Sequence, residues 1–139
     1  MASSSATPET FSSEQRGETT VAIIGCGRTG ILQACLFAQA GLKVVCADVD
    51  PAVVARLSKG KLPFLKDEIA PILLGFMETG KLHFVNDLEQ AASQAQTLII
   101  AVPVDVDDKG KTDYSIIERV LRRLAAKINK GTLIILSCA

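Results

Sequence analysis

The stretch "TVAIIGCGRTGILQACLFAQAG", Thr20 to Gly41, narrows the choice of fold more than any other part of the chain. A short β-branched, apolar run leads straight into a glycine cluster, and a helix-length apolar run follows it, stopped by Gly41. The first run reads as a buried strand, and a glycine after the last periodic residue reads as a helix end. Gly25, Gly27 and Gly30 have the spacing G-x-G-x-x-G in the context that gives it meaning, between a strand and a helix. Gly25 allows the tight turn, Gly27 lets a diphosphate approach the backbone, and Gly30 lets the helix pack closely on the strand. The free N–H groups and positive dipole end of that helix suit an anion, with Arg28 and Thr29 at its first turn.

The pattern of the first unit continues. "LKVVCAD" reads as a second strand, and "DPAVVARLSKG" as a helix with Asp50 as N-cap, Pro51 at the first helical position and Gly60 at the end. A further helix is predicted between Lys66 and Glu78, "KLHFV" as a third strand, and a short helix from Asp87 to Ser93. "TLIIAV" is the fourth strand and "GTLIILS" the fifth. Between those two lies a helix starting near Ser115. Ser115 and Glu118 have capping-box spacing, and Ile117, Leu121, Leu124 and Ile128 form one apolar stripe. Strands alternating with helices mean right-handed βαβ units and an α/β fold: a Rossmann-type doubly wound parallel sheet of five strands, order 3-2-1-4-5, covered on both faces.

Asp48 ends the second strand, close to where this fingerprint places the acid that accepts from the ribose hydroxyls, roughly 20 residues on. Asp50 already has a structural role as a cap, so the ribose falls to Asp48. A carboxylate there repels a 2′-phosphate, which selects NAD over NADP. The competing reading is a Rossmann-like domain that binds no dinucleotide, or binds S-adenosylmethionine.

With 139 residues, 48% of them hydrophobic, the chain holds one domain's worth of core. Residues 1–19, Ser/Thr/Glu-rich and almost without large apolar side chains, are expected to be disordered, and residues 20–139 to form the cofactor domain. Fifteen basic and fifteen acidic side chains cancel, which removes the electrostatic case for nucleic acid or an anionic membrane. Arg119, Arg122, Arg123 and Lys127 on the last helix read as a solvated face. No apolar run approaches the roughly 20 residues that span a bilayer. Cys26, Cys35, Cys46 and Cys138 have neither CxxC pairing nor zinc-like spacing with His83, and read as reduced thiols of a cytoplasmic protein.

"DVDDKGKTDYSI", Asp105 to Ile116, imitates a calcium loop. Its fifth and twelfth positions, which need oxygen ligands, are Lys109 and Ile116, so no metal is expected. The residues before it read as a buried strand where an EF-hand has an amphipathic helix.

"VAIIGCGRTGILQACLFAQAGLKVVCADVD", "ETGKLHFVNDLEQA", "LIIAVPVDVDDKGKTDYSII" and "KGTLIIL" occur in that order. Together they resemble the N-terminal NAD-binding domain of the UDP-glucose/GDP-mannose dehydrogenase family, from Val21 to the C-terminus. The most specific part is the acidic loop: Val102, Pro103, Gly110 and Asp113 match the family's Val-Pro and the glycine-containing loop ending in Asp. The resemblance makes this loop a strand-to-helix connection at the cofactor edge, its acids solvating a turn and Asp113 helping to start the next helix. It implies NAD as cofactor, held by Gly25, Gly27, Arg28, Thr29, Gly30, Asp48, Val102 and Pro103. The chain departs from the family at Val104 and Asp105, where Thr and a second Pro are usual, and at Arg28, where Tyr is usual. Lys66, Asp67 and Glu68 stand for Glu-Pro-Gly, and Ser137, Cys138 and Ala139 for Glu-Ser-Thr.

Family members oxidise the C6 alcohol of a nucleotide sugar to a carboxylate with two NAD, trapping the aldehyde on a Cys thiolate. The resemblance places that Cys and its helpers, and the nucleotide-sugar site, in a C-terminal half absent from this chain. No catalytic residue is therefore expected here, and Cys138 is not a substitute. A homodimer is implied for a full-length enzyme. Two alternatives stand beside this one: a stand-alone NAD-binding or regulatory module, and the cofactor domain of a 3-hydroxyacyl or β-hydroxyacid dehydrogenase.

Overall fold

The computed structural model describes residues 12–62, 64 and 66–137. The elements in chain order are α1 (Ser13–Glu18), β1 (Thr20–Ile24), α2 (Arg28–Gln39), β2 (Lys43–Ala47), α3 (Pro51–Ser58), α4 (Ile69–Glu78) and β3 (Leu82–Val85). They continue with α5 (Leu88–Ser93), β4 (Thr97–Ile100), β5 (Asp105–Val106), β6 (Thr112–Asp113), α6 (Ser115–Leu124) and β7 (Leu133–Leu136). The main sheet is parallel throughout, in the order β3-β2-β1-β4-β7. This is the expected 3-2-1-4-5 arrangement, with β7 as its fifth strand.

Side chains on a strand alternate between faces, and β1 shows how the two layers follow. Val21 and Ile23 belong to one core, where Ile31, Ala34 and Ala38 of α2, Leu57 of α3 and Leu73 of α4 close over the sheet. Ala22 and Ile24 belong to the other, against Leu88, Ala91 and Ala92 of α5 and Leu124 of α6. Because both faces of β1 and β4 are covered, their sequences are continuous apolar runs. Ile23, Ile24, Leu98 and Ile100 are almost wholly buried. Each such side chain stabilises the fold by about 1.5–3 kcal/mol through burial alone.

Three expectations need correction. Of the tail expected to be disordered, residues 1–11 lie outside the described residues, but Ser13–Glu18 are helical. Ser12 and Gln15 close a reciprocal capping box that holds the first turn. Ser115 is not the cap of α6. It is already helical, Tyr114 precedes it without a side-chain bond, and the Asp113 carboxylate accepts the Ser115 N–H at 2.9 Å instead. The sheet is not covered on both faces at β7, whose four residues are all exposed, from 39% at Ile135 to 57% at Leu133 and Leu136. The acidic loop is the expected connection from β4 to α6, with a small antiparallel hairpin, β5 paired with β6, inside it.

The remaining differences are small. The helix expected from Lys66 starts at Ile69, with Pro71 in its first turn, where a missing N–H costs no helical bond. Ile128 lies beyond the end of α6, yet it packs with Leu121 against the second core as its stripe requires.

Candidate functional site

The order of the sheet reverses between β1 and β4, and α/β proteins bind ligands at that switch point, beyond the carboxyl ends of the strands. A cleft of about 430 Å³ lies there. Its floor is the loop from Gly25 to Thr29, its sides are Asp48 after β2 and Ala101, Val102 and Pro103 after β4, and Ser137 after β7 closes one end. Seven of the eight residues predicted to hold the cofactor line it: Gly25, Gly27, Arg28, Thr29, Asp48, Val102 and Pro103. The eighth, Gly30, lies behind them as a packing residue.

The three glycines differ in what they permit. Gly25 has φ +109°, a left-handed conformation, and a Cβ there would sit 2.5 Å from the Ala101 carbonyl oxygen. It is therefore required both by its backbone and by the approach of the β4 exit. A Cβ on Gly30 would collide with the Gly25 carbonyl oxygen, so α2 lies directly against the turn. Gly27 is the reverse: its backbone is extended (φ −82°, ψ −170°) and a Cβ would meet nothing within 4 Å. The space in front of Gly27 is open. Gly27 caps α2 with no side-chain bond, leaving the first-turn N–H groups of the helix for an anion.

Asp48 and Asp50 divide their work as the sequence indicates. Asp50 caps α3 by accepting the Ala52 N–H at 2.9 Å. Asp48, half-buried on the cleft wall, is held more firmly. Its N–H donates to the Val85 carbonyl at 3.1 Å and its carbonyl accepts from the Asn86 amide at 3.2 Å. Its carboxylate accepts the Cys26 N–H at 3.0 Å through Oδ2 and the Asp50 N–H at 2.9 Å through Oδ1. Each carboxylate oxygen can accept a further hydrogen bond, so the residue has capacity for two ribose hydroxyls.

Sequence reasoning missed several parts of the site. Val53, Leu62 and Phe64 form an apolar wall, and the Arg28 guanidinium stands 6.0 Å from the centre of the Phe64 ring. Gln33 on α2 donates to Ser137 Oγ at 2.8 Å, while its Oε1 is buried without a hydrogen-bond partner among the described residues. Cys26 and Cys46 are buried with their sulfurs in hydrogen-bonding contact at 3.1 Å. The bond from Cys26, with burial, pushes the Cys46 thiol well up from its ordinary pKa, and burial raises Cys35 as well. Only a few of these could have been found from sequence. Val53 lies on α3, and Leu62 and Phe64 come from the segment between α3 and α4, whose apolar residues in "LSKGKLPFLKD" are the available signal. The cysteine contact depends on a chain reversal that leaves no local signal.

Other candidates fall outside the cleft. His83 is exposed on the edge strand β3. Asp107 Oδ1 accepts the N–H groups of Lys109 and Lys111 at 2.9 and 2.8 Å, and Gly110 takes φ +77° to close the hairpin turn. Among the described residues, no three His, Cys, Asp or Glu side chains are grouped to hold a metal. Cys26, Cys35 and Cys46 are free thiols, and Cys138 lies outside the described residues. No helix among the described residues is long and apolar enough to cross a membrane.

Residues 19–138 match the profile of the UDP-glucose/GDP-mannose dehydrogenase family, NAD binding domain. The chain belongs to this family. It is similar to the UDP-glucose 6-dehydrogenase of Pseudomonas aeruginosa, 28% identical over 113 residues, covering 81% of this chain and 25% of that protein. It is also similar to the UDP-N-acetyl-D-mannosamine dehydrogenase of Pyrococcus horikoshii, 28% identical over 117 residues, covering 84% and 27%. Among solved structures, a UDP-glucose dehydrogenase from Pyrobaculum islandicum superposes with a TM-score of 0.80 at 25% identity, covering 88% of this chain and 29% of that one. The 3-hydroxyisobutyrate dehydrogenase of Mycobacterium tuberculosis, at TM-score 0.59 and 19% identity, shares the fold alone. The chain spans about a quarter of the length of the curated relatives it matches. As the NAD-binding domain of its family it has NAD as cofactor, and the open backbone at Gly27 and the uncapped α2 fit that ligand's pyrophosphate.

Proposed function

We propose that this chain is the cofactor-holding part of a nucleotide-sugar dehydrogenase, one that oxidises the C6 alcohol of a UDP-sugar to the uronate. Bound NAD would supply the hydride acceptor. The chain's own residues bind and orient it. Gly25, Gly27, Arg28 and Thr29 receive the pyrophosphate on the first turn of α2 while Gly30 packs that helix against the turn, Asp48 accepts from the adenosine ribose, and Val102 and Pro103 form the opposite wall. The observation that carries this reading is the convergence of these residues, from three separate strand ends, on one cleft at the switch point.

Substrate, partner and compartment go with the same reading. The sugar nucleotide binds only where a C-terminal half completes the site, and the complete enzyme is a homodimer in the cytoplasm, the setting that suits free Cys26, Cys35 and Cys46. The cofactor domain begins near residue 20. One observation favours a second reading, an NAD-binding module without its own oxidation chemistry: Val104 stands where the family has a hydroxyl-bearing Thr. Calorimetric titration with NAD and NADP tests the proposal. Saturable NAD binding, tighter than NADP, supports it, and no binding of either overturns it.

A further inference from the structure

Cys26 occupies the variable position of the G-x-G turn, lines the cleft, and has its sulfur 3.1 Å from that of Cys46 on β2. Two buried thiols in contact need to approach by only about 1 Å to reach the disulfide distance of about 2.05 Å. We propose that Cys26 and Cys46 form a peroxide-oxidisable pair whose closure displaces the cofactor, making the glycine loop a thiol modification site. The coupling rests on the reading that the pyrophosphate lies against this loop.

The two sulfurs have different parts. Cys26 is the one on the cleft, so a small peroxide entering by the cofactor's path meets it first. Cys46 is wholly buried behind it, its sulfur 3.1 Å away and so placed to attack Cys26 once that has reacted. The Cys26 thiolate attacks one peroxide oxygen, the O–O bond breaks, and the departing hydroxide takes a proton to leave as water. That gives a sulfenic acid on Cys26. The Cys46 sulfur then attacks the Cys26 sulfur, losing its proton as the S–O bond breaks and a second water departs. Two electrons pass from the thiol pair to hydrogen peroxide.

The consequence for the cofactor follows from what holds the loop. Cys26 is flanked by Gly25 and Gly27, and its N–H is fixed by Asp48 Oδ2. Drawing its sulfur toward β2 moves the backbone that the pyrophosphate approaches and strains the hydrogen bond that ties the turn to the ribose acid. Coupling between two events is reciprocal. If closure weakens NAD binding, NAD must oppose closure by the same factor.

The experiment uses the full chain carrying Cys35→Ser and Cys138→Ser, so that only the pair remains. Reduced protein is first titrated with NAD, then treated with hydrogen peroxide with and without saturating NAD, blocked with maleimide under denaturing conditions and mapped by mass spectrometry. We expect a Cys26–Cys46 linked peptide that forms more slowly when NAD is present. We also expect a loss of about tenfold or more in NAD affinity, equivalent to about 1.4 kcal/mol, restored by dithiothreitol. Cys46→Ala, which lies outside the cleft, should bind NAD normally and lose only the reversible response. Absence of the linked peptide overturns the proposal, as does a linked protein with unchanged affinity. If reduced protein binds no NAD, the cofactor reading fails and the coupling with it, while the linked peptide still reports on the pair by itself.

Discussion

Asp48 Oδ2 accepts the N–H of Cys26 at 3.0 Å, so the acid expected to receive the ribose also anchors the turn expected to receive the pyrophosphate. Two functions assigned to separate motifs meet in one side chain. The link is structural before it is functional. It fixes the spacing between the end of β2 and the start of α2, beside the Gly25 N–H, which donates to the Ala47 carbonyl at 2.8 Å.

Replacing Asp48 with Ser should weaken NAD binding by about tenfold to a hundredfold, since a hydrogen bond to a charged group contributes about 1.5–3 kcal/mol. The gap to NADP should narrow, because the carboxylate that repels a 2′-phosphate is gone. Asp50→Ala should instead lower stability by about 1 kcal/mol through loss of the α3 cap, with cofactor preference unchanged. Titration of both variants with NAD and NADP checks the division. A larger change of preference in the Asp50 variant would reverse it.

Gly27→Val should abolish NAD binding and leave the melting temperature close to that of the parent. The extended backbone at Gly27 suits valine, and its Cβ meets no protein atom, so the only thing displaced is the ligand. The same change at Gly25 or Gly30 should fail to fold, as a Cβ there strikes a backbone carbonyl. Circular dichroism beside calorimetry separates the two cases.

The parts of this structure legible in the sequence are those set by period and punctuation. Continuous apolar runs such as "TVAII" and "TLII" mark strands buried on both faces, and Asp50-Pro51 marks the start of α3. The strand order followed from these, as did the glycine loop and Asp48; Val102 and Pro103 came from the family resemblance, and Val53, Leu62 and Phe64 were not foreseen. What was not legible depends on contacts between distant segments or on very short elements. The strands β5 and β6 are two residues each, too short to show alternation, although Asp107 and Gly110 carry the turn chemistry that closes them. The start of α6 was misassigned because Ser115-x-x-Glu118 satisfies a capping pattern that the nearer Asp113 carboxylate preempts. The Cys26–Cys46 contact joins the glycine turn to strand β2, twenty residues on, with no local trace.

Calcium at millimolar concentration should leave the melting temperature unchanged. Two acids of the imitation loop are already engaged, Asp107 with the Lys109 and Lys111 N–H groups and Asp113 with Ser115, and Lys109 and Ile116 stand at ligand positions. A ligand that binds the native state would raise the midpoint by mass action. A rise of several degrees that chelator reverses would overturn this account of the loop.

The pH dependence of stability should carry a contribution from Asp113. The Ser115 backbone N–H, then the Ser115 hydroxyl, hold its carboxyl below its ordinary pKa. A depressed native pKa contributes stability that is present above the unfolded value, near 3.9, and is lost as pH falls through the native value. Asp113→Asn should therefore melt lower than the parent at neutral pH, and the difference should shrink below about pH 4. A difference that stays constant from pH 7 to pH 3 would show that the carboxylate does not help to hold the start of α6.

The last prediction is that the purified chain binds NAD yet generates no NADH from UDP-glucose or UDP-N-acetylmannosamine. Oxidation to the uronate needs a thiolate to trap the aldehyde and a base to take the alcohol proton. Among the described residues, His83 is exposed on edge strand β3, away from the cleft. Cys26 and Cys46 are occupied with each other, and Cys35 is half-buried with a raised pKa. The cleft presents Asp48, but on the proposed reading its free lone pairs are taken by the ribose hydroxyls, away from the alcohol to be oxidised. Under the proposed reading, the residues that hold a sugar over the cofactor belong to a C-terminal half. Positioning of that kind accounts for about 7–11 kcal/mol of a barrier where it is complete. The measurement is NADH absorbance at saturating NAD and sugar nucleotide, alongside calorimetry on the same preparation. Binding without turnover is the expected pair of results. Steady turnover would place a catalytic centre in this chain, and its loss in Cys26→Ala or in Cys138→Ala would say which thiol provides it.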